Sequence, residues 1–252
     1  MKIFDLRLCV TIIFGFGLSN ILGFSTLYCQ STPIKTSIVK PNHNLFGDLL
    51  KLYVYENGSV NYKGLQTAKH KLTIYLQELS SHPPQSAWSQ NEQLAFWINA
   101  YNAFTLKLVL DNYPIKSITQ LHNGNPWDVK WIKIGTQTYS LNIIEHDIIR
   151  KKFGDPRIHF ALDCAAKSCP PLLNTAYTAD KLQQQLSQQT AKFINHKKFN
   201  TFTTKSAKIS KIFQWYANDF NNLTTFLNQY LKIPLLAETK IQYFEYDWSL
   251  NE

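Results

Sequence analysis

The chain has 252 residues, 44% of them hydrophobic and 17% charged, which suits one globular domain with a sizeable core and excludes a low-complexity or fibrous protein. The net charge of +9 comes from scattered lysines, the densest group being Lys192, Lys197, Lys198, Lys205, Lys208 and Lys211. No zinc finger, basic zipper or ribonucleoprotein pattern accompanies them, so no nucleic-acid partner is expected. Four cysteines are too few for a disulfide scaffold.

The first 29 residues read as a secretory signal. Lys2 and Arg7 precede an apolar run from Leu8 to Phe24, followed by a polar cleavage region. An exported protein, periplasmic or secreted, is the expectation. Membrane attachment would come only through an uncleaved leader or a lipidated Cys29, although Tyr28 is larger than the small residue that usually precedes a lipidated cysteine. Residues 30–43 hold two prolines and no periodicity and read as a linker, leaving residues 44–252 for the folded domain.

Apolar spacing predicts helices over 45–55 and 62–79, the second stopped by His82-Pro83-Pro84. Residues 94–110 are apolar on nearly every side, with Asn99, Asn102 and Thr105 as the polar exceptions before Leu106, so this helix should be buried all round. Gly135-Thr136 suits a hairpin turn between 131–134 and 137–139. Ser140 is placed to cap a helix over 141–152. Residues 157–162 alternate as a strand would, and 164–171 form a loop. A helix over 179–196, a hairpin over 199–212, a largely helical stretch over 213–231 and a strand over 242–247 complete an α+β order without βαβ alternation.

Several residues stand out chemically. Glu145 falls within the apolar stripe Leu141, Ile144, Ile148 and Ile149, with His146 at its edge; an unpaired carboxylate there is costly. It is either the acid of a site or half of a buried ion pair with Arg150 or Arg157. In the expected strand, Arg157 and His159 share the face opposite Ile158, Phe160 and Leu162. Cys164 follows at the strand end, where turn N–H groups could stabilise an oxyanion and Lys167 could favour a thiolate. The alternatives are a Cys164–Cys169 disulfide or a buried structural thiol. Were the chain extended, His159 would lie roughly 17 Å from Cys164, so the loop must fold back or His146 must act as base. A zinc set of His146, His159, Cys164 and Cys169 is disfavoured by the C-x4-C spacing, so no metal or other cofactor is expected.

The segment Phe96–Ala103 (FWINAYNA) resembles the opening signature of the domain of unknown function 547 family. Ser140-Leu141 through Ile144-Glu145-His146 and Arg150 resembles its next block. Asp155–Leu162 (DPRIHFAL) with Cys164 and Ser168-Cys169-Pro170-Pro171 resembles the central one. Phe213–Tyr216, Asp219-Phe220 and Tyr246–Asn251 are similar to its C-terminal blocks, so the likeness runs from about residue 45 to 251. The resemblance implies a role for Glu145, His146, His159, Cys164 and Cys169, and by looser analogy a cysteine-hydrolase-like fold, papain-like but permuted because His precedes Cys. The expected activity is a thiol-dependent hydrolase or acyl transferase, with Cys164 as nucleophile, His146 or His159 as base, Glu145 orienting it and Asn99 or Asn102 either donating to the oxyanion or bracing the helix. The substrate would be a peptide or other acyl compound. The other expectations are a non-catalytic envelope binding or scaffold module with a Cys164–Cys169 disulfide and, third, a thiol–disulfide or metal-dependent enzyme.

Overall fold

The computed structural model describes residues 39–203 and 205–252. The expected leader, with Cys9 and Cys29, and most of the linker lie outside the described residues.

The fold is α+β and rich in helix. Helix α1 (Asn44–Tyr53) leads into α2 (Tyr62–Thr67) and α3 (Lys69–Ser81). Sequence periodicity merges the last two into one helix; Ala68, at φ −105°, breaks them apart. Helix α4 (Gln90–Asn112) is the axis of the domain, with an unbroken buried run from Gln93 to Leu106. It has nearly no polar side, so burial on all sides is its stable placement. It begins with a capping box: the Ser89 hydroxyl accepts the Glu92 N–H while the Glu92 carboxylate accepts the Ser89 N–H.

Strands β1 (Ile132–Ile134) and β2 (Gln137–Tyr139) form the expected hairpin about Gly135. Ser140 then accepts the Ile143 N–H, as expected of a cap. The helix that follows is π-helical over Ile143–Arg150, ending in a turn of α5 (Lys151–Phe153) and Gly154 at φ 59°. The wider turn shifts the buried face to Leu141, Ile144, Glu145 and Ile149 and leaves Ile148 half-exposed.

The expected strand at 157–162 is absent. Pro156–Phe160 is instead a 3₁₀ helix, capped by the Asp155 carboxylate on the Arg157 N–H and started by Pro156. Its roughly three residues per turn send successive side chains to different sides. Ile158 enters the core built around α4, Phe160 enters a second core, and His159 is buried between them.

That second core gathers α6 (Leu182–Ile194), β3 (Thr201–Phe202), β4 (Ser206–Ile209), α7 (Ile212–Trp215) and α8 (Leu223–Asn228) around Phe193, Phe213 and Phe220. Strands β3 and β4 form the second hairpin, antiparallel like the first. Strand β5 (Lys240–Tyr243) joins β4 in parallel. The single helical stretch expected over 213–231 is broken by a 3₁₀ turn, Ala217–Phe220, and by Asn221 at φ 52°. This break places Asp219 opposite His159.

Candidate functional site

A cleft of about 280 Å³ opens at the seam of the two cores. Tyr101 and Leu162 line it from the first core, Ile212, Tyr216 and Tyr246 from the second, and Glu145, His159, Cys164 and Cys169 between them. Trp127, Trp215 and Trp248 complete the wall. Trp215 and Trp248 stack at 6.0 Å, and Tyr246 packs at 4.7 Å and 4.6 Å from them. Such a wall offers a large apolar face with few polar handles.

His159 is fixed on two sides. Its Nε2 lies 2.7 Å from Asp219 Oδ2, and its ring stacks on Tyr216 at 3.9 Å and 22°. Burial holds the imidazole below its ordinary pKa despite Asp219. Near neutral pH it is therefore a neutral ring donating Nε2–H to the carboxylate, with Nδ1 left able to accept a proton. Hydrogen bonds from His159 and from Arg150 hold the Asp219 carboxyl well below the usual carboxylate range. Arg150 grips Asp219 with Nε and Nη2, at 2.7 Å and 2.8 Å.

Glu145 is buried as expected, but neither arginine is its partner. Arg150 is taken by Asp219 and Arg157 by Asp155. The Tyr216 hydroxyl donates to Glu145 Oε1 at 2.7 Å, and burial beside that carboxylate pushes the phenol pKa far up. Glu145 makes no hydrogen bond to His159, and the group that orients His159 is Asp219. His146 lies outside the cleft wall, with Nδ1 3.0 Å from Arg150 Nη1 and 4.0 Å from Glu145.

Cys164 lies on the cleft wall, with its Sγ 3.2 Å from the Tyr246 hydroxyl. Among the described residues, its thiol forms no hydrogen bond to an imidazole. Both Cys164 and Cys169 are free thiols. Most amides of the turn after Cys164 already have partners. The N–H of Cys164 goes to Cys169 Sγ, that of Ala165 to Asp163, that of Lys167 to Ser249 and that of Cys169 to Ala166. The expected supply of turn N–H groups for an oxyanion is therefore largely consumed.

The α4 asparagines brace this region from behind. Asn99 donates to the Tyr177 carbonyl (2.8 Å) and accepts the Tyr177 N–H (2.9 Å). Asn102 does the same for the Ala161 carbonyl and the Asp163 N–H, both at 2.9 Å, one residue before Cys164. Neither lines the cleft. Gly58, at φ 83°, allows the close approach of Pro171, where a Cβ would lie 2.3 Å from the proline ring. Among the described residues, no three His, Cys, Asp or Glu side chains gather as metal ligands.

Residue-by-residue chemistry does not single out Asp219, Tyr216 or Tyr246. Their signal lies in the C-terminal blocks, Phe213–Phe220 and Tyr246–Asn251, where polar and aromatic residues interleave.

These elements define an α+β domain with an aromatic cleft holding a thiol and a carboxylate-bound imidazole. Residues 85–194 match the family described as protein of unknown function, DUF547. The match carries FWINAYNA, the Glu145-His146 block and the Cys164–Pro171 loop; Asp219 and Tyr246 fall beyond it. No curated protein and no solved structure matches the chain.

Proposed function

We propose that this chain is a thiol-dependent hydrolase or acyl transferase in which Cys164 is the nucleophile, His159 the base and Asp219 the group that orients it. The observation that carries the reading is the 2.7 Å His159–Asp219 hydrogen bond, on an imidazole that shares the cleft with the Cys164 thiol. Asp219 fixes the tautomer, so the free nitrogen takes the thiol proton as Sγ forms a bond to the acyl carbon. The leaving group departs with that proton, and water or a second nucleophile then cleaves the thioester. The aromatic wall favours an apolar or flat acyl group. Kinship with papain-like cysteine hydrolases would be a permuted one, because His159 precedes Cys164 in the chain.

The reading is tested with p-nitrophenyl esters of acetate and of longer acids. Hydrolysis should depend on Cys164 and His159. Equal rates for wild type and Cys164→Ser would contradict it. A second reading, an envelope binding or scaffold module, draws on one observation: the turn amides beside Cys164 are largely occupied. We also propose export, on the apolar run behind Lys2 and Arg7. N-terminal sequencing should find mature protein starting between Ser25 and Pro33, and a retained Met1 on soluble cytoplasmic protein would contradict it.

A further inference from the structure

Acyl transfer leaves two buried titratable groups unused, and both flank the turn that carries Cys164. Asp163 is 1% exposed and is held by neutral partners only. Its Oδ1 accepts the Ala165 N–H (3.1 Å) and the Asn251 amide (3.1 Å); Oδ2 accepts the same amide at 3.2 Å. Asn251 is fixed in turn by the Tyr62 hydroxyl at 2.7 Å. The Cys169 thiol, which donates to the Leu162 carbonyl at 3.7 Å, is the third group beside this carboxylate. A buried carboxylate without a cation is costly, and burial pushes Asp163 up to about 6.

Cys169 is buried, whereas Cys164 is partly exposed. Ala165, at φ 61°, bends the chain back on itself, a backbone state that an L-residue adopts only when its surroundings impose it. The bend brings the Cys164 N–H to 2.8 Å from Cys169 Sγ and makes the two thiols neighbours. A nucleophilic site needs no second thiol folded against the first, and none of its steps uses a buried proton acceptor beside that second thiol.

We propose that Cys164 and Cys169 are a redox pair that forms a reversible disulfide by exchange with a low-molecular-weight disulfide, with Asp163 receiving the Cys169 proton. The accessible Cys164 thiolate attacks one sulfur of the oxidant. A Cys164–S–S–R bond forms and one RS⁻ leaves. Cys169 then gives its proton to Asp163 and attacks Cys164 Sγ, releasing the second RS⁻. The two thiols lose two electrons, which reduce the oxidant to two RSH once protons are taken up. The inference shares the reactivity of Cys164 with the acyl-transfer reading but needs no acyl chemistry.

The test treats the reduced full chain with oxidised glutathione. Samples are quenched with acid at timed intervals, alkylated with N-ethylmaleimide and read by intact mass and peptide mapping, which separates Cys9 and Cys29. Wild type should pass through a glutathione adduct on Cys164 to a Cys164–Cys169 linkage. Cys169→Ser should stop at the adduct, and Cys164→Ser should leave Cys169 unmodified. Asp163→Asn should slow the resolving step by roughly a hundredfold, the scale of a lost general base. Because Asp163 also anchors Asn251, wild type supplies a check without substitution. Of the titratable groups facing Asp163, Tyr62 and Cys169 stay protonated to high pH and Cys164 carries the adduct at this step. Resolution should therefore rise through about pH 6 and level off.

A wild type that ends at the adduct, a first adduct on Cys169, or resolution that climbs steadily through the thiol range would overturn the proposal. Linkage without Cys164-dependent ester hydrolysis sinks the acyl-transfer reading alone. Cys164-dependent hydrolysis with a persistent adduct sinks this one alone.

Discussion

Replacing Asp219 by Ala removes the acceptor on which the site converges. Three hydrogen bonds disappear, two from Arg150 and one from His159. The two donors differ in what they lose. The His159 side chain is 1% exposed, so its Nε2–H is left without a partner and without water, at about 1–3 kcal/mol. The Arg150 side chain is 28% exposed and turns to solvent, so its share resembles a surface pair at about 0–1 kcal/mol. The expected loss is about 1–4 kcal/mol, read from urea unfolding at pH 7. The pH dependence gives a second signature. Burial lowers the His159 pKa in the folded state, so below its ordinary value of 6.5 the unfolded chain binds the proton first and stability falls as pH drops. Without Asp219 the folded His159 resists protonation further, so the gap between wild type and variant should widen as pH falls through the lowered folded value of wild-type His159. The Asp219 carboxyl itself is depressed; its contribution is complete above the ordinary value of 3.8 and is lost as pH falls through its lower folded value, where the gap closes. A loss below about 0.5 kcal/mol at pH 7, the scale of an ordinary surface substitution, with parallel pH profiles would refute the reasoning.

Two further substitutions test the scaffold. Trp97, 6% exposed and packed edge-on against Phe96 and Tyr139, should cost about 3–5 kcal/mol when changed to Ala, and a loss near zero in the same urea assay would mean that α4 is peripheral. Asn99→Ala strands the buried Tyr177 N–H and carbonyl and should cost about 2–4 kcal/mol while leaving Cys164 alkylation unchanged; a selective loss of ester hydrolysis with intact stability would instead favour the oxyanion role.

Which parts of this molecule can be read from its sequence follows from how each residue is held. Helix α4 is legible because its residues are apolar around the whole circumference and only one placement suits that pattern. The buried Glu145 is legible for the same reason. Its partner is not, because the π-helical turn and the 3₁₀ break at Ala217–Phe220 decide that Tyr216 meets Glu145 and Arg150 meets Asp219. The alternation Ile158, Phe160, Leu162 imitates a strand because two separate cores, rather than one sheet face, receive those side chains. Asp155-Pro156 is the contrary local signal, an N-cap followed by proline at the first helical position. His159 and Asp219 are sixty residues apart in the chain, and no local pattern joins them.

The most direct test of the account is the rate at which iodoacetamide alkylates Cys164 at pH 7 in wild type and in His159→Gln, each followed by peptide mapping. If His159, held by Asp219, serves the Cys164 thiol across the cleft, the variant should remain folded and react on the order of tenfold more slowly. Equal rates in two folded proteins would mean that the imidazole does not act on the thiol, and the catalytic reading of the cleft would fall.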